Sequence, residues 1–215
     1  MKTRLITLLS AIGLMLGSLS VAADALDQGI AALQKGWAIA NYQTPEEEQD
    51  AAFNKLTQQA QALVEAHPDK AEPLIWNAII ISSHAGASGG LGALGRVDDA
   101  RLLLEAAEKI DPSAMNGSIY TSLGSLYYQV PFWPLSYGDD DKAEAYLKKA
   151  LASNPEGIDP NFFYGDFLQD QGHYKEAVTY LDKALKAPDR ANRPLADKGR
   201  RGEAQKLLEM VKAKL

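Results

Sequence analysis

The 215-residue chain contains no cysteine, so a disulfide, a thiolate metal site and a cysteine nucleophile are all closed to it. A lipidated N-terminal cysteine is excluded on the same ground. Histidine is nearly as scarce, at three residues: His67 precedes Pro68, His173 falls in a predicted turn, and His84 alone approaches an unusual segment. None has a ligand partner at helical spacing, whereas a zinc site needs three or four ligands. Positive charge is also short, with 22 Lys and Arg against 28 Asp and Glu and a formal net charge of -6. That balance repels a phosphate backbone, which removes nucleic acid from the expected partners. No serine stands in a G-x-S-x-G elbow, so the sequence predicts no enzyme, no metal and no cofactor. What the chain does have is 46% apolar residues, enough for one continuous core.

Long hydrophobic runs are confined to the start. Lys2 and Arg4 precede an apolar stretch from Leu5 to Leu19, and small residues continue through Ala23. This layout predicts a secretory signal peptide over residues 1–23, cut after Ala22 or Ala23. The stretch is shorter than the roughly 20 residues that a bilayer span requires. Loss of Lys2 and Arg4 would take the charge from -6 to -8. The longest later run, Pro73 to Ile81, is interrupted by Asn77, so no transmembrane span is expected in the mature chain. The expectation is an exported protein, periplasmic if the source is Gram-negative.

A repeat underlies the rest. Tyr164-Gly165-x-x-Leu168 is followed by Gly172 and then by Ala177-x-x-x-Leu181-x-x-Ala184, with Pro188 closing. The small residues let two helices approach and the leucines fill the space between them, while Gly172 supplies a permissive turn. The pattern recurs as Leu123-Gly124-x-x-Tyr127 with Ala143, Leu147, Ala150 and Pro155, and as Asn77-Ala78-x-x-Ile81 with Ala100, Leu104, Ala107 and Pro112. With these residues the chain resembles the tetratricopeptide repeat family over roughly Glu72 to Pro188. The resemblance implies an all-α solenoid of helical hairpins.

Helical spacing of Leu26, Ile30, Leu33 and Trp37, then of Phe53, Leu56, Ala60 and Leu63, adds a degenerate first hairpin. Ala204, Leu207, Leu208 and Val211 mark a final helix with one apolar side, suited to cap the array. The predicted domain is a single solenoid over 24–215, with hairpins at about 25–67, 71–111, 114–154 and 159–187 and a capping helix at about 196–214. Two hairpins depart from the family spacing: Ala78 to Ala100 and Gly124 to Ala143 are 22 and 19 residues apart, against 12 for Gly165 to Ala177. Insertions of ten and seven residues are expected, over Ala85–Gly95 and Val130–Gly138, lying side by side along one edge.

The first insertion contains Gly90-x-Gly92-x-x-Gly95, with Asp111 downstream. A dinucleotide site needs those glycines between a strand and a helix, and a helical repeat offers no strand, so a turning or flexible insert is expected. The second gathers Phe132, Trp133 and Tyr137 between Pro131, Pro134 and the run Gly138-Asp139-Asp140-Asp141-Lys142. Its aromatics suit either a ligand wall or a cover for the core ends. The aspartates lack calcium-loop spacing and fit a helix N-cap.

By repeat offset the concave face presents Ile75, Ile79, Ser82 and Ser83, then Thr121, Ser125, Tyr128 and Gln129, then Phe162, Asp166, Gln169 and Asp170. It shows no Lys and Arg cluster to clamp a terminal carboxylate. The candidate site for a ligand or partner is Ile79, Ser83, His84, Thr121, Tyr128, Phe132, Trp133, Tyr137, Phe162 and Asp166. The helical layout, with an aromatic insert followed by Gly138-Asp139 and Lys142-Ala143, also resembles the T-component proteins of tripartite periplasmic transporters. That resemblance implies a periplasmic substrate-binding protein as partner and a small hydrophobic ligand. The alternative function is an envelope assembly scaffold with no small-molecule ligand.

Overall fold

The computed structural model describes the backbone of residues 9–215 and the side chains of residues 24–215, Leu91 excepted. Lys2, Arg4 and the start of the expected leader lie outside the described residues. Among the described residues nine α-helices follow in order: α1 Leu9–Tyr42, α2 Glu46–Ala66, α3 Ala71–Ser88, α4 Gly90–Ile110, α5 Ser118–Gln129, α6 Asp140–Ser153, α7 Ile158–Asp170, α8 Tyr174–Lys186 and α9 Pro194–Lys212. A short 3-10 turn, Ala114–Gly117, leads into α5. Among the described residues no strand forms, and no helix is long and apolar enough to cross a membrane.

The sequence triplets explain the pairing of helices. Ala100, Leu104 and Ala107, Ala143, Leu147 and Ala150, and Ala177, Leu181 and Ala184 are all completely buried. Each set sits on the face that its second helix turns toward the first. The leucine enters a hole opposite: a Cβ on Gly124 would lie 2.6 Å from Leu147 Cγ, and one on Gly165 would lie 2.9 Å from Leu181 Cγ. Removing such a leucine would cost about 2–5 kcal/mol, transfer and cavity together.

Helix ends follow local chemistry. Asp139 caps α6, its carboxylate accepting from the Lys142 amide at 3.0 Å, the role expected for that acidic run. Pro194 opens α9, where a missing N–H does no harm. Gly172, at φ 77°, makes the three-residue turn between α7 and α8.

The glycine-rich segment is not a loop. Helix α3 runs through Ser88 and α4 starts at Gly90, so the extra residues lengthen both helices, to 18 and 21 residues against 13 each for α7 and α8. Ala85, Gly86, Ala87 and Ser88 contain nothing that stops a helix. Only Gly89 and Gly90, at φ 60° and 69°, break it. The Gly90-x-Gly92-x-x-Gly95 glycines form the first turns of a helix that follows another helix, which removes the strand-to-helix setting a dinucleotide needs.

The capping helix does more than end the array. Ala204, Leu207, Leu208 and Val211 are buried in the main core, as their spacing indicated. The first turns of α9 reach back to α1: Ala196 joins Trp37 and Trp76 in the N-terminal core, and a Cβ on Gly199 would meet the Tyr42 ring at 2.5 Å. First and last helices therefore touch, and the concave side becomes an open groove bounded at both ends of the array.

Candidate functional site

The groove has a volume of about 960 Å³ and is walled by α1, α3, α4, α5, α7 and the segment from Pro188 to Arg200. Of the sequence-predicted site, Ile79, Ser83 and Thr121 line it. Ser83 is held from both sides, accepting from the Trp37 indole N–H at 2.8 Å and donating to the Ile79 carbonyl at 2.8 Å. Thr121 donates back to the Gly117 carbonyl. Ser82, Ser125 and Gln129 are also on the wall, which gives the α3 and α5 side of the groove a neutral polar lining with apolar patches.

The other candidates stand elsewhere. Ile75 is fully buried. His84 points to α2, where its ring stacks on Phe53 and its Nε2 lies 2.9 Å from Asp50 Oδ1; burial among helices makes it a core residue. Tyr128 donates to Asp166 Oδ2 at 2.7 Å and packs edge-on against Phe167, so this pair ties α5 to α7. Burial holds the Asp166 carboxyl above its ordinary value and, with the Asp166 charge beside it, holds the Tyr128 phenol well above its own. Phe162 is buried, with the Arg200 guanidinium 4.5 Å from its ring centre; its neighbour Phe163 lines the groove instead.

The segment between α5 and α6 remains a loop, because Pro131 and Pro134 lack amide hydrogens and bias the preceding residues toward extended backbone. Its rim is pinned: Gly138 N–H donates to the Pro131 carbonyl at 3.0 Å and Asp139 N–H to the Tyr127 carbonyl at 2.9 Å. Tyr137 turns inward, edge-on to Tyr127, with Arg101 4.8 Å from its ring centre. Its hydroxyl donates to the Val97 carbonyl at 2.8 Å. Since Val97 lies two residues beyond Gly95, the two insertion regions are neighbours. Phe132, Trp133 and Leu135 point the other way and are 55%, 85% and 72% exposed. They neither wall the groove nor cover the core.

Residues that the repeat offset could not reveal come from the polar linker. Arg190, Arg193 and Arg200 enter the groove where a cluster of cations was not expected. Arg190 bonds Asp159 Oδ2 and Asp197 Oδ1, each at 2.7 Å, and Arg200 bonds Asp159 Oδ1 at 3.0 Å. Burial would raise the Asp159 carboxyl, but the Arg200 and Arg190 charges overcome it and hold the group at about 2. Arg193 lies over Trp76 at 5.0 Å and Trp37 at 6.0 Å. Arg190 and Arg193 lie in the linker and Asp197 and Arg200 in the first turns of α9, where offset counting from first helices does not reach.

The hairpin array and its concave groove define an all-α helical-repeat scaffold, a class that presents a surface to partners. Residues 135–193 match the tetratricopeptide repeat family profile. A thermophilic tetratricopeptide protein of Thermus thermophilus, TTC0263, is similar in fold, with a TM-score of 0.55, 20% identity and coverage of 91% of this chain and 96% of that one. MamA of AMB-1 aligns with a TM-score of 0.46 and 20% identity over 89% and 90% of the two chains. PilF of Pseudomonas aeruginosa aligns at 0.36 and 15% identity over 87% and 93%. No curated protein sequence matches this chain.

Proposed function

We propose that the protein is exported and acts as a non-enzymatic interaction module, periplasmic in a Gram-negative source, whose partner protein docks on the tip of the α5–α6 loop. The observation that carries this reading is the exposure of Phe132, Trp133 and Leu135 together on one loop. Aromatic side chains in solvent are costly to solubility and are enriched where proteins meet. The braced rim below them holds the tip ready, so docking gives up little conformational entropy. Sequence resemblance to transporter T-components makes a periplasmic substrate-binding protein the partner class to try first.

Two measurements test the reading. N-terminal sequencing of protein from the periplasmic fraction should begin at Ala23 or Asp24; an intact Met1 in the cytosol overturns export. Crosslinking in native extract should capture one defined protein with the wild-type chain and lose it with the Phe132→Ser, Trp133→Ser variant. Equal capture by both would remove the tip as the docking point.

A further inference from the structure

A buried cation normally has an anion beside it, because desolvation of the charge is otherwise uncompensated. Arg190 and Arg200 obey this rule. Both oxygens of Asp159 are taken by them, and both oxygens of Asp197 are taken by Arg190, one by its side chain and one by its backbone amide. Arg193 does not. Among the described residues it has no salt bridge, and its buried Nε has no hydrogen-bond partner. Burial and then the nearby Arg190 charge disfavour its protonated form, and the charges of Asp159 and Asp197 offset this only in part. Its face is satisfied by the Trp37 and Trp76 rings, but rings accept nothing along a guanidinium edge.

The same residue lines the groove, together with Ile79 and Met115, which pack against the Trp37–Trp76 cluster, and with the neutral amides Gln34, Asn41 and Asn192. The volume of about 960 Å³ is at the upper end of the range for pockets that take small molecules. The unpartnered guanidinium edge calls for a singly charged acceptor: a carboxylate matches that edge in shape, whereas a phosphate dianion would add excess negative charge beside Asp159 and Glu156, which also line the groove.

We propose that the groove is a binding site for a small amphiphilic carboxylate, its anionic head on Arg193 and its apolar body along Ile79, Met115 and the indoles. This goes beyond partner docking, since Trp133 and Phe132 are outside the groove and the two sites can fail separately.

The probe is octanoate, with octanol and octylamine as uncharged-head and cationic-head controls and inorganic phosphate as the small anion. Binding is read by calorimetry and by tryptophan emission in a Trp133→Phe background, where Trp37 and Trp76 are the remaining reporters. Octanoate should bind saturably and change their emission, while octanol, octylamine and phosphate bind at least about tenfold more weakly, the scale of a lost hydrogen bond to a charge. Arg193→Gln should weaken octanoate by a similar factor and Arg193→Lys by less. The Phe132→Ser, Trp133→Ser variant should bind octanoate as the wild type does by calorimetry. Equal binding of octanoate and octanol, tighter binding of phosphate, no octanoate binding by folded protein, or an Arg193→Gln variant with unchanged affinity would each overturn the proposal. The ligand comparison on wild-type protein decides the matter even if Arg193→Gln fails to fold.

Discussion

Two stretches of this chain interrupt the same repeat at the same place, and they fold in opposite ways. Residues 85–95 are absorbed into α3 and α4, whose ends grow past the hairpin until two glycines turn the chain. Residues 130–138 stay outside any helix and make a pinned loop. The difference is proline. Alanine, serine and glycine can all donate and accept within a helix, at a propensity cost of about 1 kcal/mol for each glycine. Pro131 and Pro134 cannot donate, and each disfavours helix in the residue before it. Insert length therefore does not decide whether a repeat gains a loop or longer helices; the amide hydrogens do. The consequence for function is that the first insertion becomes groove wall, through Ala85, Ala93 and Leu94, and the second becomes an outward tip.

The sharpest way to break this comparison is to add one methyl group to each stretch. At Gly138 a Cβ would lie 2.4 Å from the Val130 carbonyl oxygen and 2.9 Å from backbone atoms of Pro131. Backbone on both sides cannot give way, so Gly138→Ala should lower unfolding free energy by about 1–3 kcal/mol in urea titration, the range for overpacking. At Gly95, exposed inside α4, nothing lies within 4 Å, so Gly95→Ala should cost nothing and raise stability by about 0.4–1 kcal/mol. If the two variants melt alike, the loop is not braced as described.

A smaller effect probes the seam between the two stretches. Tyr137→Phe deletes the hydroxyl that donates to the Val97 carbonyl. A loss of about 1 kcal/mol is expected, the usual net value of one hydrogen bond, measured by the same titration. No change would mean that the loop and α4 are energetically independent.

Much of this fold was legible in the sequence because repetition multiplies weak signals. Ala143, Leu147 and Ala150 alone could belong to any amphipathic helix; three such triplets, each behind a glycine or alanine in the helix before it, define a hairpin array. The groove lining was legible only where it follows the same period, as with Ile79, Ser83 and Thr121. His84 was misplaced because one residue along a helix turns a side chain by about 100°, enough to send it from the groove to α2. Arg193 was missed for a different reason. It belongs to a linker without period, and its position depends on α9 returning to α1, a contact between the two ends of the chain that no local spacing encodes.

Among the glycines of the first stretch, Gly86 gives the next effect in size, and it has the opposite sign. It lies inside α3, it is exposed, and an added methyl would meet nothing within 4 Å. Gly86→Ala should raise stability by about 0.4–1 kcal/mol, chiefly by restricting the unfolded chain. If it destabilises instead, α3 does not continue past Ala85 in solution and the insertion is a loop after all.

The smallest expected effect falls at the tip. Trp133 is 85% exposed and makes none of the aromatic pairs that Tyr127, Tyr137 and Tyr146 make beneath it. Trp133→Ser should therefore leave unfolding free energy within about 0.5 kcal/mol of wild type, as for other surface changes away from buried features. A single large aromatic that contributes nothing to the fold yet stays in water contrasts with Tyr137, four residues on, whose whole ring is committed to α4 and α5. A loss of more than about 1 kcal/mol on Trp133→Ser would mean that the indole packs onto the body of the protein in solution. In that case the tip would be a cover for the hairpin, and partner docking would have to be sought on another face.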